Sequence, residues 1–179
     1  MHRDAPQREL IIDKVWSGEA AEAYEVAHIR VRRHGGGLEL QVEAPWHRDP
    51  QPPATAGPTD RLWEFEVVEF FVAGTGSPPL RYTEVELSPF GHHLVLRFFG
   101  VRNAVDRALQ LRYDAQLSED RWTGTAVIPA RYLPPEPWTA NAFAIHGAGA
   151  QRRFLVAHPM KSDQPDFHLP QEFPPLDLA

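Results

Sequence analysis

The chain reads as all-β, an antiparallel β-sandwich of about nine short strands forming one domain over residues 1–179. Three observations predict it. Eighteen prolines and twelve glycines cut the chain into short pieces. Most of those pieces alternate apolar and polar residues with period two. No window carries the long amphipathic stripe of a helix, so the core has to form between sheets. With 42% hydrophobic and 11% aromatic residues, one substantial core can be buried.

In chain order, "AYEVAHIRVRR" places Ala27, Ile29 and Val31 on one face. The "HGGG" of His34 to Gly37 resembles an oxyanion-hole motif, but without a nucleophile elbow it reads as a hairpin turn. "LELQVEA" then alternates, with Leu38, Leu40 and Val42 inward. A proline-rich loop, "APWHRDPQPPATAGPTD", follows; loops of that length are often functional or disordered.

"LWEFEVVEFFVAG" reads as the next strand. Alternation sets Trp63, Phe65, Val67, Glu69 and Phe71 on one face and Glu64, Glu66, Val68 and Phe70 on the other. The "GTGSPPL" turn predicts a hairpin to "RYTEVELS", where Tyr82, Glu84, Glu86 and Ser88 share a face. "HHLVLRFFG", "ALQLRYDAQL", "RWTGTAVIP" and "NAFAIHG" complete the strands, and "IPARYL" allows one helical turn. The tail "QPDFHLPQEFPPLDLA" reads as an extended strap packed through Phe167 and Phe173.

Composition excludes several functions. A net charge of −6 with scattered basic residues argues against a nucleic-acid partner. The absence of cysteine removes disulfides, thiolate metal sites and a cysteine nucleophile. No apolar run approaches the ~20 residues of a membrane span, and the first ten residues are polar, so the expectation is a soluble cytoplasmic protein. No phosphate loop, zinc-protease motif or dinucleotide fingerprint is present.

The carboxylates are therefore the residues to explain. Glu69 sits among large apolar groups, and a buried carboxylate needs donors or a cation, or else it is protonated. Ordinary pairing with Arg81, Arg97, Arg102 or Arg112 is one reading, and hooks for a polar ligand are another. Two carboxylates could also serve glycoside hydrolysis, which requires them to flank the scissile bond. A metal site through His92 and His93 is weakened by their adjacency, since neighbours on a strand point to opposite faces.

Several segments together resemble a known family, one whose vertebrate members are named as open reading frames. They are "EAPWHRDPQPP", "LWEFEVVEFF", "YTEVELSPFGHHLVLRFFGVRN", "WTGTAVIPARYLPP", "NAFAIHG" and "QPDFH". That family is similar to DOMON-like domains and family-nine carbohydrate-binding modules, β-sandwiches that hold a sugar between aromatic rings and polar side chains. The resemblance implies a non-catalytic module for a saccharide or similar polyol. It makes Trp63 and Glu69 the first candidates for ring and carboxylate, with Glu66, Glu84, Trp46 and His93 beside them. No tryptophan follows Trp138, so a second ring has to come from Phe167 or Phe173. Some DOMON-like domains hold haem through Met and His; here only Met1 and Met160 are available, and no cofactor or metal is expected. The alternatives are a small hydrolase using the carboxylates with His93, and a protein-interaction domain contacting its partner through the Trp46 loop.

Overall fold

Period-two sequence becomes two stacked sheets. The computed structural model describes residues 6–76 and 78–178, so Ser77, in the predicted "GTGSPPL" turn, lies outside the described residues. The strands are β1 (Gln7–Ile12), β2 (Lys14–Val15), β3 (Ala27–His34), β4 (Gly37–Pro45), β5 (Gly57–Pro58), β6 (Val67–Gly74) and β7 (Arg81–Leu87). They continue with β8 (His92–Phe99), β9 (Ala104–Asp106), β10 (Arg112–Leu117), β11 (Arg121–Ile128), β12 (Trp138–His146) and β13 (Arg153–Val156). The smaller sheet runs β1-β3-β4-β11-β10 and the larger β2-β13-β12-β6-β7-β8-β5, with β9 added against β8. Every pairing is antiparallel except β5 with β8. The fold is the predicted β-sandwich. The strands the sequence did not mark include β2, β5 and β9, too brief to show a period, the six-residue β1 on the edge of the smaller sheet, and β13 within the larger sheet.

The β3–β4 hairpin shows how local chemistry sets the register. Gly35 and Gly36 take positive φ (55° and 80°), as a tight hairpin turn requires. At Gly37, a Cβ would stand 2.0 Å from the Ile128 carbonyl oxygen, so only glycine lets β11 and its exit turn lie this close. From there Ile29 and Val31 of β3 and Leu40 and Val42 of β4 face Val68, Phe70 and Val72 of β6 across the inter-sheet core. These inward sets match the alternation read from the sequence.

A second apolar cluster lies on the outer face of the larger sheet. Phe71, Phe143, Leu94 and Phe98 are covered there by Met160, Phe167 and Phe173 from the tail. The tail does run as a strap. Ala140 N–H donates to the Pro174 carbonyl, Leu176 N–H donates to the Trp138 carbonyl, and Phe167 stacks on Phe143 at 4.0 Å. Both faces of the central strands β6, β7 and β12 are thereby buried, which explains why their sequences are apolar almost throughout.

One strand starts later than its sequence predicts. Residues 62–64 form a 3₁₀ turn, entered through Arg61 in the left-handed conformation (φ 56°), and the β ladder begins at Val67. The turn buries Leu62 completely. Trp63, Glu64 and Phe65 therefore do not follow the strand alternation, whereas Val67 to Phe71 do.

Candidate functional site

Register on the outer face of the larger sheet gathers three carboxyl groups. Across one row stand Phe143 of β12, Glu69 of β6, Glu86 of β7 and Leu94 of β8; across the next stand Asn141, Phe71, Glu84 and Leu96. Glu69 and Glu86 are direct cross-strand partners, and Glu84 lies two residues along on the same face. All three are buried, at 1%, 0% and 4% exposure.

What surrounds them decides their chemistry. Neither oxygen of Glu86, nor Oε1 of Glu69, nor Oε2 of Glu84 meets an N–H or hydroxyl donor. Burial pushes Glu69 and Glu86 well above the ordinary carboxyl range, and the neighbouring carboxylates push them further. Burial also raises Glu84, to about 7, opposed by its carboxyl neighbour Glu86 and by the Arg102 charge.

Above this floor opens a cleft of about 350 Å³. Its walls are mostly apolar, with Trp63, Phe154 and Ile145 toward one side and Leu96 and Phe98 along β8. Phe167 and His168 of the strap complete it. The Trp63 carbonyl accepts a hydrogen bond from Arg152, which ties the 3₁₀ turn to the segment before β13. Tyr82 accepts the Arg102 backbone N–H at 2.9 Å and donates its hydroxyl to His168 Nδ1 at 2.8 Å. Burial lowers the His168 pKa to about 4, so the ring is neutral, and with Nδ1 accepting, its proton sits on Nε2. That Nε2–H faces Glu84 Oε2 across 3.8 Å, a gap too long for a hydrogen bond. Arg102 is held at the mouth by Asp166, at 2.6 Å.

Of the six candidates from the sequence, Trp63, Glu69 and Glu84 line this cleft. The other three lie elsewhere. Glu66 accepts the backbone N–H groups of His47 and Asp49 at 2.9 and 3.3 Å and pins the start of the proline-rich loop. Trp46 packs against the inter-sheet core, edge-on to Phe90, with the Arg48 guanidinium over its ring. His93 faces the sandwich interior, where its Nε2 accepts the Leu111 N–H beside Tyr113. Its parity along β8 is opposite to that of Leu94 and Leu96, which puts it on the other side of the sheet from the three glutamates.

A second polar cluster sits where the loop meets β12. His47 stacks on His146 at 3.6 Å, His146 Nε2 lies 3.0 Å from Glu25, and Arg153 makes two bonds to the same carboxylate at 2.7 and 2.9 Å. Arg153 holds Glu25 down at about 2. The Asp49 carboxylate accepts the Gly147 N–H at 2.6 Å. The space enclosed there is about 10 Å³, room for a water at most, so this cluster is a clamp on the loop. Among the described residues no three His, Cys, Asp or Glu side chains are placed to hold a metal ion, and no helix is long and apolar enough to cross a membrane.

Sequence reasoning put Glu86 on the right face but did not select it as a site residue. It also did not select His168 and Phe167 for the cleft as observed, though Phe167 was named as a possible second ring. Their contribution depends on where a tail about eighty residues downstream of β7 docks, and no local pattern carries that.

No family model matches the chain. In architecture it is similar to a crystal structure described as that of a "putative carbohydrate-binding protein" from Bacteroides uniformis. The TM-score is 0.72 at 20% identity, covering 93% of this chain and 84% of that one, a likeness of fold. In sequence it is similar to UPF0462 protein C4orf33 of Homo sapiens, 35% identical over 172 residues that cover 90% of this chain and 84% of the human protein. The Danio rerio homolog is 38% identical over 152 residues, 79% of this chain and 75% of its own. The Mus musculus homolog is 35% identical over 176 residues, 93% and 90% respectively. Identity at this level along nearly the whole length shows that the chain belongs to the UPF0462 protein C4orf33 family.

Proposed function

We propose that this protein is a non-catalytic binding module, of the DOMON-like and family-nine carbohydrate-binding kind, that takes a saccharide or similar polyol in the cleft over Glu69 and Glu84, with Glu86 beneath them. One observation carries the reading: a concave site with an indole and other rings on its walls and unpaired polar oxygens on its floor. A sugar presents exactly complementary surfaces, a C–H face for the rings and hydroxyl donors for the oxygens. The fold likeness to the Bacteroides uniformis protein supports it. Hydrolysis by paired carboxylates fits less well, because Glu69 and Glu86 stand side by side on one floor instead of facing each other across a scissile bond.

The test is a thermal-shift and calorimetric screen of mono- and disaccharides against wild type and Trp63→Ala. A ligand at a hundredfold excess over its Kd stabilises the fold by about 2.7 kcal/mol, well within detection. The expected result is a sugar-dependent shift that Trp63→Ala reduces at least tenfold in affinity. A shift of equal size in Trp63→Ala would move the site elsewhere, and the absence of any shift across the screen would sink the reading.

A further inference from the structure

Outside the cleft, every buried glutamate has hydrogen-bond donors of its own. Six glutamates are buried among the described residues. Glu25 has Arg153 and His146, Glu39 has Arg32 at 2.7 Å with Gln41 at 2.9 Å, and Glu66 has two backbone N–H groups. The remaining three, Glu69, Glu84 and Glu86, lie together on one floor with oxygens that no protein donor reaches. Nearby arginines do not supply the missing charge at contact. Arg102 is engaged by Asp166, and Arg152 donates to the backbone carbonyls of Trp63, Glu64 and Gly147. Arg107 is exposed where it lines the cleft and is not paired with any of the three.

For a ligand with hydroxyls alone, this composition is wasteful. Amide side chains would accept the same hydrogen bonds without the desolvation of three carboxyl groups. What a carboxyl offers beyond an amide is charge, and its benefit is realised when a cation arrives. The apolar and aromatic walls make a small hydrated metal ion a poor match and an organic cation a good one, since rings attract a cation through their faces.

We propose that the ligand of this cleft carries a protonated amine as well as hydroxyls, as an amino sugar does, and that its ammonium group enters between Glu69 and Glu84. The inference rests on the polyol reading above and names the class of polyol. The unpartnered Oε1 of Glu69 and Oε2 of Glu84, both on buried side chains that line the cleft, are the acceptors. The neutral His168 adds an Nε2–H beside Glu84, suited to a ligand hydroxyl that spans the 3.8 Å gap. Ammonium binding draws the glutamates into their ionised forms, so protons held by the empty site leave as the ligand enters.

The experiment is calorimetry at pH 6.5, where a sugar amine is protonated, in two buffers of different ionisation enthalpy. The probes are D-glucosamine, D-galactosamine and D-mannosamine, their neutral parent sugars, N-acetyl-D-glucosamine, 1,4-diaminobutane and calcium chloride. The expected result is an amino sugar binding at least tenfold tighter than its neutral parent and its N-acetylated form, with net proton release. Glu69→Gln and Glu84→Gln, each checked for folding by circular dichroism, are expected to bring amino and neutral sugars within threefold of each other. Neutral sugars binding as tightly as amino sugars would overturn the amine while leaving the polyol site. Diaminobutane or calcium binding where sugars do not would overturn the amino-sugar class and the polyol reading together, as would silence from the whole panel.

Discussion

Glu69 and Glu25 are both buried carboxylates with opposite fates, and the difference lies in their donors. Glu25 meets Arg153, His146 and the Glu22 backbone N–H and is held near 2; Glu69 meets no donor at Oε1 and is raised. Glu25→Gln should therefore cost about 1–3 kcal/mol at pH 7, the range of charged hydrogen bonds, toward the low end because Arg153 is partly solvated. Chemical denaturation at pH 7 measures this. Because the folded pKa of Glu25 is depressed, its contribution is present above about 4.5 and is lost as pH falls toward 2. Glu69→Gln should cost less than Glu25→Gln despite equal burial. At this scale the sequence was readable as far as strand parity reaches. Parity grouped Glu69 with Val67 and Phe71, and Glu84 with Tyr82 and Glu86. It put Glu66 on the face opposite Glu69, and it says nothing of Trp46 in the proline-rich loop or of which of His92 and His93 faces outward. Trp46, Glu66 and His93 were grouped with the site by residue type and resemblance, against or beyond parity.

Elements with a strong period were legible, and those defined by contacts with distant chain were not. β3, β4, β7 and β11 alternate in sequence as they do in the sandwich, whereas β2, β5 and β9 have two or three residues and no period to read. The 3₁₀ turn at residues 62–64 was taken for strand because aromatic enrichment suits both. Within the β3–β4 hairpin, Gly37→Ala should destabilise by about 3 kcal/mol or more, since its Cβ would strike the Ile128 carbonyl. Gly35→Ala, where only a positive φ is at issue and nothing lies within 4 Å, should cost about 1 kcal/mol. Paired thermal melts of the two variants check the order. The strap is the other element with a defined contribution. Phe167→Ala removes the ring stacked on Phe143 and should cost about 3 kcal/mol while weakening ligand binding, because the same ring lines the cleft.

At the scale of the molecule, the unpaired glutamates leave a signature in stability against pH. Their folded pKa values are raised, as is that of buried Glu66, to about 7, so the unfolded chain releases protons above about 4.5 that the fold retains, and stability falls as pH rises. Buried histidines with lowered pKa values oppose this only below about 6.5, where the unfolded chain binds protons that the folded rings refuse. Above that point the glutamates act alone. Between pH 6.5 and 8.5 the free protein should lose stability, by about 1 kcal/mol per pH unit for each group still protonated. Glu86→Gln should flatten that slope, and denaturation series at three pH values would show it. A flat profile in wild type would mean that the glutamates are solvated or paired in solution. The whole-molecule architecture was legible because a proline- and glycine-rich chain with no helical stripe has few ways to bury its apolar residues. Docking of the tail across β6, β7 and β12, which turns a sheet face into a cleft, depends on contacts between residues 71 and 167 that no local pattern reports.

The most direct test of the cleft uses the five tryptophans. Trp63 lines it, Trp16 packs on Phe167 beside it, Trp122 and Trp138 are buried in the inter-sheet core, and Trp46 packs at the foot of the proline-rich loop. With indole nitrogens labelled and signals assigned by Trp→Phe variants, titration with the amino and neutral sugar panel is followed by NMR. The expected result is a saturating shift of the Trp63 signal with those of Trp122 and Trp138 still. Movement of Trp46 with Trp63 unmoved, or no movement of either, would contradict a ligand site over Glu69, Glu84 and Glu86.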